Sequence, residues 1–338
     1  MRRLSGYLCT TALVIAASLL QSAPSRAGEA SECRFTKVAD LPVTETRDAI
    51  AVPVSINGKN TLMAIGTGAP ITMFYKSKVA QTGIDLPIMR GNDVRRVPSH
   101  IQLARIDALA VGDWIIHGRM YVDDFDEIDL PGNVIGTLGE DYLQNVDFEL
   151  DLKNKKIIIY QTVGCSENSP PLAPDSYSYV PLTVNGANHW PRILLDMQVN
   201  GHAVKMTLGT EYAHTRLSEQ AAEAVGADLH GSQPIAAQFE SDIGGGKLWM
   251  TRLDSVRIGD EEVRPAWLRT GGSGPEPVTG GYSWLLGMPD GYWQAVLGRD
   301  FLSNHHVVVS HSEHRFYYSY QGGEIFSRDG TQQAQAER

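Results

Sequence analysis

The chain has 338 residues, of which 42% are apolar, and a formal net charge of −10 at pH 7. This length and apolar content suffice for the packed cores of two ordinary domains, and they exclude a disordered or collagen-like chain. Because a negative surface repels a phosphate backbone, we expect no nucleic-acid partner.

The first 27 residues have the pattern of a secretory signal peptide. Arg2 and Arg3 come first, an apolar run follows at 11–20, and small residues end the segment at Ala27. A membrane anchor is the alternative, but this apolar run is short for a bilayer span. We therefore expect cleavage near Ala27, a periplasmic or secreted protein, and no membrane span after cleavage.

Two cysteines remain after such cleavage, Cys33 and Cys165. In an exported protein an even pair favours a disulfide, which here would tie the start of the first domain to its end. Two unpaired buried thiols are the alternative, because a sequence does not give the distance between two residues.

Most of the remaining segments have the pattern of short β-strands. Asn57-Gly58 and Asn200-Gly201 predict hairpin turns between strands, since Asn-Gly accepts the positive φ angles of a two-residue turn. Ser218 is a plausible N-cap for one of the few helices. Strands are predicted at 50–56, 146–152, 156–160 and 307–309, and helices at 76–82 and 218–225.

A repeat divides the chain into two related halves. Residues 57–86 correspond to residues 200–229 at a constant shift of 143. Further blocks correspond in the same order, namely 41–44 with 180–183, 107–113 with 254–260, and 137–143 with 296–302. Such a repeat predicts two equivalent domains. The expected boundaries are a signal peptide at 1–27, a first lobe at 28–165, a linker at 166–179, a second lobe at 180–326 and a disordered tail at 327–338.

The repeated segments resemble the signature of aspartic peptidases. In that family an apolar strand end precedes Asp-Thr-Gly-Ala, and a Gly-x-Asp-aromatic-Leu segment follows; here Gly66-Thr67-Gly68-Ala69 precedes Gly139-Glu140-Asp141-Tyr142-Leu143. The chain is similar to the bacterial retropepsin-like group, with two units in tandem as in pepsin-type enzymes. The resemblance implies an all-β fold with short helices, in which two related closed β-barrel lobes flank a cleft. It also implies that Asp141 and Asp300 belong to the scaffold.

The resemblance places glycine at both catalytic positions. Aspartic peptidases hold two carboxylates at one water, so that one stays protonated as the acid while the other acts as the base. The two positions correspond to Gly66 and Gly209, called the dyad positions below, and glycine can neither accept nor donate that proton. We therefore expect no intact catalytic residue and no cofactor, and a pseudoenzyme that binds a peptide or protein segment in the cleft.

Two other functions stay open. One is an active aspartic endopeptidase whose carboxylates lie elsewhere or come from a partner chain, and the other is a structural envelope protein. Glu211 is the nearest substitute carboxylate, but the family has glycine there, at a site that faces away from the water, so we expect no rescue by Glu211. Tyr212 also replaces a small residue, whereas Gly68 and Ala69 keep the family pattern.

Other features of the resemblance concern the cleft. Thr67 and Thr210 keep the family's threonines, which hydrogen-bond across the lobe interface and need no catalysis for that role. The insertion at 270–293 either lines the cleft or forms a surface loop. The glycine run resembles the tip of a mobile flap, with a plain flexible turn as the alternative, and consists of Gly244, Gly245 and Gly246.

Clustered histidines near the C-terminus suggest a metal site. The repeat places residues 311–314 opposite residues 152–155, which form a predicted hairpin turn. A solvated turn is therefore the better interpretation, and we expect no bound metal. The cluster consists of His305, His306, His311 and His314.

Overall fold

Strands dominate the computed structural model, which describes residues 32–46, 49–88, 101–123, 133–184, 191–229, 233–235, 248–271 and 294–328. The predicted signal peptide, the glycine run at 244–246, most of the insertion at 270–293 and most of the predicted tail lie outside the described residues. Every helix in the described ranges is too short or too polar to cross a membrane.

The first half of the chain forms ten strands, two short helices and one 3₁₀ turn within the described residues. They are β1 (Arg34–Pro42), β2 (Thr44–Glu45), β3 (Ile50–Ile56), β4 (Lys59–Ile65), β5 (Met73–Tyr75), α1 (Lys76–Thr82), β6 (Ile101–Val111), β7 (Trp114–Asp123), β8 (Val134–Leu138), α2 (Glu140–Leu143), β9 (Asp147–Asp151), the 3₁₀ turn (Leu152–Asn154) and β10 (Lys156–Val163).

The second half forms thirteen strands and two short helices within the described residues. They are β11 (Ser178–Pro181), β12 (Thr183–Val184), β13 (Ile193–Val199), β14 (His202–Leu208), β15 (Arg216–Leu217), α3 (Glu219–Ala224), β16 (Gln233–Ile235), β17 (Leu248–Leu253), β18 (Val256–Ile258), β19 (Glu261–Val263), β20 (Ala266–Gly271), β21 (Ala295–Leu297), α4 (Arg299–Leu302), β22 (His305–Ser310) and β23 (Arg315–Tyr320).

The first lobe is a closed six-stranded barrel. Its strands follow the order β3-β4-β8-β5-β7-β6, and β6 pairs with β3 through Ser55 opposite Ala110 and Ile56 opposite Leu109. The apolar side chains of these strands fill the barrel, and Phe74 is fully buried among them. Closure leaves the barrel without an open sheet edge.

The second lobe repeats this strand order in a curled sheet. Its central path is β17-β20-β15-β21-β14-β13-β18. Strands β17 and β18 occupy the chain position of β6, and only Asp254 and Ser255 separate them. The sheet therefore curls back toward its own start, as the first barrel does.

A third sheet joins the two lobes. Its order is β1-β10-β9-β22-β23-β11, so that β9 of the first half pairs with β22 of the second. The disulfide Cys33–Cys165 links the residue before β1 to a residue just beyond β10, with Cα atoms 4.4 Å apart. Both lobes belong to one compact unit, Glu32–Arg338, in which one apolar core extends through both lobes and the joining sheet.

The predicted fold class is confirmed, and the local signals for it are accurate. The predicted helices match α1 and α3, and the Ser218 hydroxyl accepts a hydrogen bond from Ala221 N at 3.1 Å. At the hairpin turns φ is 48° and 82° for Asn57-Gly58, and 50° and 81° for Asn200-Gly201. The exact lobe and linker boundaries stay predictions.

Candidate functional site

The two dyad positions lie in equivalent loops, here called the first loop (66–69) and the second loop (209–212). The first loop follows β4, which runs parallel to β8, and the second follows β14, which runs parallel to β21. Gly66 N donates to Leu138 O and Gly209 N donates to Leu297 O, both at 3.0 Å. Parallel pairing thus holds each loop at the same end of its barrel.

Thr67 and Thr210 join the two loops across the lobe interface. Thr67 N donates to Thr210 Oγ1 at 3.2 Å, and Thr210 N donates to Thr67 Oγ1 at 3.1 Å. The Thr210 hydroxyl donates in turn to Ile65 O at 2.5 Å. Both threonines are fully buried. This reciprocal bonding is the arrangement expected from the sequence, and it fixes the two dyad positions beside each other.

Asp141 and Asp300 bind threonines that follow the two loops in the chain. Asp141 Oδ1 accepts from the Thr72 hydroxyl at 2.8 Å, and Asp300 Oδ1 accepts from the Thr215 hydroxyl at 2.6 Å. Burial raises the pKa of both carboxyl groups, while the threonine hydrogen bonds oppose that shift. Their bonds are to the scaffold, which agrees with the role that the sequence suggested.

The space that a side chain would need at Gly66 is already occupied. A Cβ atom built on this glycine lies 2.4 Å from Thr137 Cγ2 and 3.0 Å from Ala69 Cβ. The Thr137 side chain is held there, because its hydroxyl lies 2.9 Å from the hydroxyl of Tyr75. Tyr75 is buried, and burial raises its pKa to about 12, so the phenol stays protonated. A methyl group of Thr137 therefore fills the place that a Cβ at position 66 would take.

Gly209 is crowded by different neighbours. A Cβ atom there lies 2.6 Å from Cδ2 of Tyr212 and 2.6 Å from Cγ1 of Val296. Neither dyad glycine lies in the left-handed φ region, so the obstacle to a side chain at both positions is packing rather than backbone conformation.

The Glu211 side chain reaches across the lobe interface to the first loop. Its Oε2 atom accepts from Gly68 N at 3.2 Å and lies 3.4 Å from the hydroxyl oxygen of Thr210. Gly68 leaves room for this carboxyl, since a Cβ on Gly68 would lie 2.3 Å from Glu211 Oε1. Burial raises the pKa of Glu211, although the Gly68 N–H and Arg192 act in the opposite direction. The bare glycine backbone of the first loop supplies both space and a donor for this carboxyl.

Arg192 is a site residue that no sequence signal selected, because it lies outside every block of the repeat. It immediately precedes β13, and its Nη1 donates to Gly68 O at 3.3 Å. Glu211 and Arg192 thus bind the N–H and the carbonyl of the same first-loop glycine. Burial lowers the pKa of Arg192, which Tyr212 and Glu211 partly offset.

The histidine cluster is not a solvated turn as a whole, because His305 and His311 are buried. The predicted turn at 311–314 exists, and His314 is exposed in it with φ of 54°. His311, however, is buried, with Nε2 at 2.6 Å from Glu140 Oε1 and Nδ1 at 2.9 Å from Val146 O. The repeat locates the turn but does not show that Glu140 of the other lobe reaches it. Within the described ranges, no three His, Cys, Asp or Glu side chains are grouped to hold a metal ion.

Comparisons with known proteins give similar structures but no match by sequence. No protein-family model and no curated protein matches the chain. Among solved structures, it is similar to basic 7S globulin from soybean, with a TM-score of 0.47 and 12% identity over 85% of this chain and 96% of that chain. It is also similar to edgp, with a TM-score of 0.45 and 10% identity over 83% of this chain and 94% of that chain. At these values the likeness says nothing about the ligand or activity of this chain.

Proposed function

We propose that this chain is an exported, non-catalytic protein of the aspartic-peptidase type that binds a peptide or protein segment between its lobes. The crowding at the dyad positions carries the proposal. Replacement of two aspartates by glycine, with no change in the neighbouring side chains, would leave the space of the lost side chains empty. Here Thr137 occupies that room at Gly66, while Tyr212 and Val296 occupy it at Gly209.

The Glu211 carboxyl group does not replace the missing pair. The family's chemistry needs two carboxylates that share a proton, so that acid and base act on one water. Glu211 is a single carboxyl whose Oε2 already accepts a hydrogen bond from Gly68 N. Burial raises its pKa, so less of this carboxyl is ionised in the acidic range where carboxylate dyads work. Glu211 is better suited to binding than to proton abstraction.

The first experiment tests for hydrolysis. The purified chain is incubated with a mixed peptide library from about pH 3 to about pH 7, the range in which carboxylate dyads work, with and without a peptidic aspartic-protease inhibitor. Mass spectrometry should detect no inhibitor-sensitive cleavage and should recover a subset of peptides bound to the protein. Inhibitor-sensitive cleavage would contradict the proposal. If the chain neither cleaves nor retains any peptide, the structural envelope role becomes the better explanation.

A restored variant tests whether the cleft still admits peptides. Aspartates at 66 and 209 alone should not fold well, because each Cβ meets a neighbour at 2.6 Å or less. The variant should therefore combine Gly66→Asp with Thr137→Ser, and Gly209→Asp with Tyr212→Ala and Val296→Ala. Cleavage by this variant, and not by the two aspartate changes alone, would show that crowding at the dyad positions accompanies the loss of activity.

A further inference from the structure

Arg192 has an unused hydrogen-bonding nitrogen at the centre of the site. Its Nη1 donates to Gly68 O, but Nη2 is buried and has no hydrogen-bond partner among the residues that the structure describes. Arginine carries five N–H donors in one plane, and buried donors are nearly always bonded. An acceptor is therefore expected at Nη2 when the site is filled.

The charge of this guanidinium is also poorly compensated. In the described part of the chain, no carboxylate oxygen lies within the 4.0 Å of an ion pair with Arg192. Glu211 is near enough to affect Arg192 electrostatically, but burial raises the pKa of Glu211 and so favours its neutral form. Removing a charge from water without a close partner costs free energy, which an anionic group beside it would recover.

We infer that the segment held between the lobes carries a carboxylate that binds Arg192 beside Gly68. This inference rests on the proposed function and names the chemistry of the ligand. A carboxylate fits better than a neutral carbonyl, because arginine–carboxylate hydrogen bonds are charge-assisted and match the planar fork of the guanidinium. The ligand would thus bring a carboxylate to the loops from which the dyad carboxylates are missing.

The carboxylate can come from an acidic side chain or from a peptide C-terminus, and two libraries distinguish these sources. The purified chain is incubated with random octapeptides that have free C-termini, and separately with the same octapeptides amidated. Enrichment of Asp or Glu at one position in both libraries indicates a side chain, whereas retention confined to the free acids indicates the C-terminus. Since the chain has a net charge of −10, general attraction does not enrich acidic peptides.

The decisive measurement compares the best retained peptide with its neutral counterpart, made by a Glu→Gln change or by amidation. We expect the neutral peptide to bind about tenfold to a hundredfold more weakly. Arg192→Gln should abolish this difference, and Arg192→Lys should keep part of it, since lysine retains the charge but not the fork. Arg257→Gln is the matched control, because Arg257 is exposed and paired with Glu262 at 3.1 Å.

The outcomes separate this inference from the proposed function. Retained peptides without any preference for a carboxylate would overturn the role of Arg192 and leave peptide binding intact. The absence of any retained peptide would overturn both. If Arg192→Gln fails to fold, the paired peptides on the unmodified chain still decide the point, because equal binding of acid and neutral forms refutes the inference.

Discussion

Alanine at position 66 is the smallest change that tests whether neighbours fill the dyad positions. The new Cβ would lie 2.4 Å from Thr137 Cγ2, far inside van der Waals contact. Thr137 cannot rotate freely, since its hydroxyl is bonded to the buried hydroxyl of Tyr75 at 2.9 Å. Inserting a methyl into a packed core typically costs about 1–3 kcal/mol. We expect Gly66→Ala to lower the free energy of unfolding by about 2 kcal/mol.

Thr137→Ser provides the matched background, because it removes only Cγ2 and keeps the hydroxyl for Tyr75. This change alone should cost about 1 kcal/mol for the lost methyl. In the Thr137→Ser background, Gly66→Ala should cost at least about 1 kcal/mol less than in the parent chain, and this difference is the coupling energy of a double-mutant cycle. Urea unfolding with the disulfide intact gives the free energy of unfolding of the parent chain, the two single variants and the double variant. Equal costs in the two backgrounds would refute the argument that Thr137 fills this site.

Three further predictions concern the loops and the joining sheet. Thr210→Val should cost about 1–3 kcal/mol in urea unfolding, because it leaves Thr67 N–H unbonded, and equal stability of Thr210→Ser and Thr210→Val would contradict this. The hydrogen bond to Glu149 raises the pKa of His306 above 6.5, so the stability that protonated His306 contributes declines as pH rises from 6.5 through the raised pKa. His306→Gln should remove that decline, and an unchanged pH profile of stability in this variant would refute the assignment to His306. Burial and two nearby arginines lower the pKa of His214 to about 3, so its ¹⁵N shifts should not titrate between about pH 5 and about pH 8, and a titration there would be a contradiction.

The fold was predictable from the sequence because its signals are local and repeated. The strand at Ile50–Ile56 has the predicted bounds, since its apolar run ends at an Asn-Gly turn whose φ angles suit few other residues. The repeat then extends each local assignment to the second half. The bonding of Thr67 to Thr210 was predictable from the resemblance to aspartic peptidases, in which the matching threonines bond across the lobe interface.

The packing of the site was not predictable in the same way. The sequence shows that Gly66 and Gly209 lack carboxylates, but not whether space remains beside them. Thr137 reaches Gly66 only because β8 pairs with β4, and a pattern of residue types does not fix such a side-chain contact. The burial of His311 depends on Glu140 of the other lobe, and Arg192 has no counterpart in the matched blocks. These are tertiary contacts between distant parts of the chain.

The Thr67-Gly68-Ala69 pattern after Gly66 can be explained by packing, without catalysis. In an active enzyme, glycine at position 68 would be read as part of the catalytic signature. Here Gly68 bonds Glu211 through its N–H and Arg192 through its carbonyl, and any side chain on it would meet the Glu211 carboxyl at 2.3 Å. A side chain at position 68 would therefore displace the Glu211 carboxyl from its place beside the Gly68 N–H. Gly68 of the first loop and Glu211 of the second loop are therefore complementary, and the hydrogen bond between them helps to hold the two loops together.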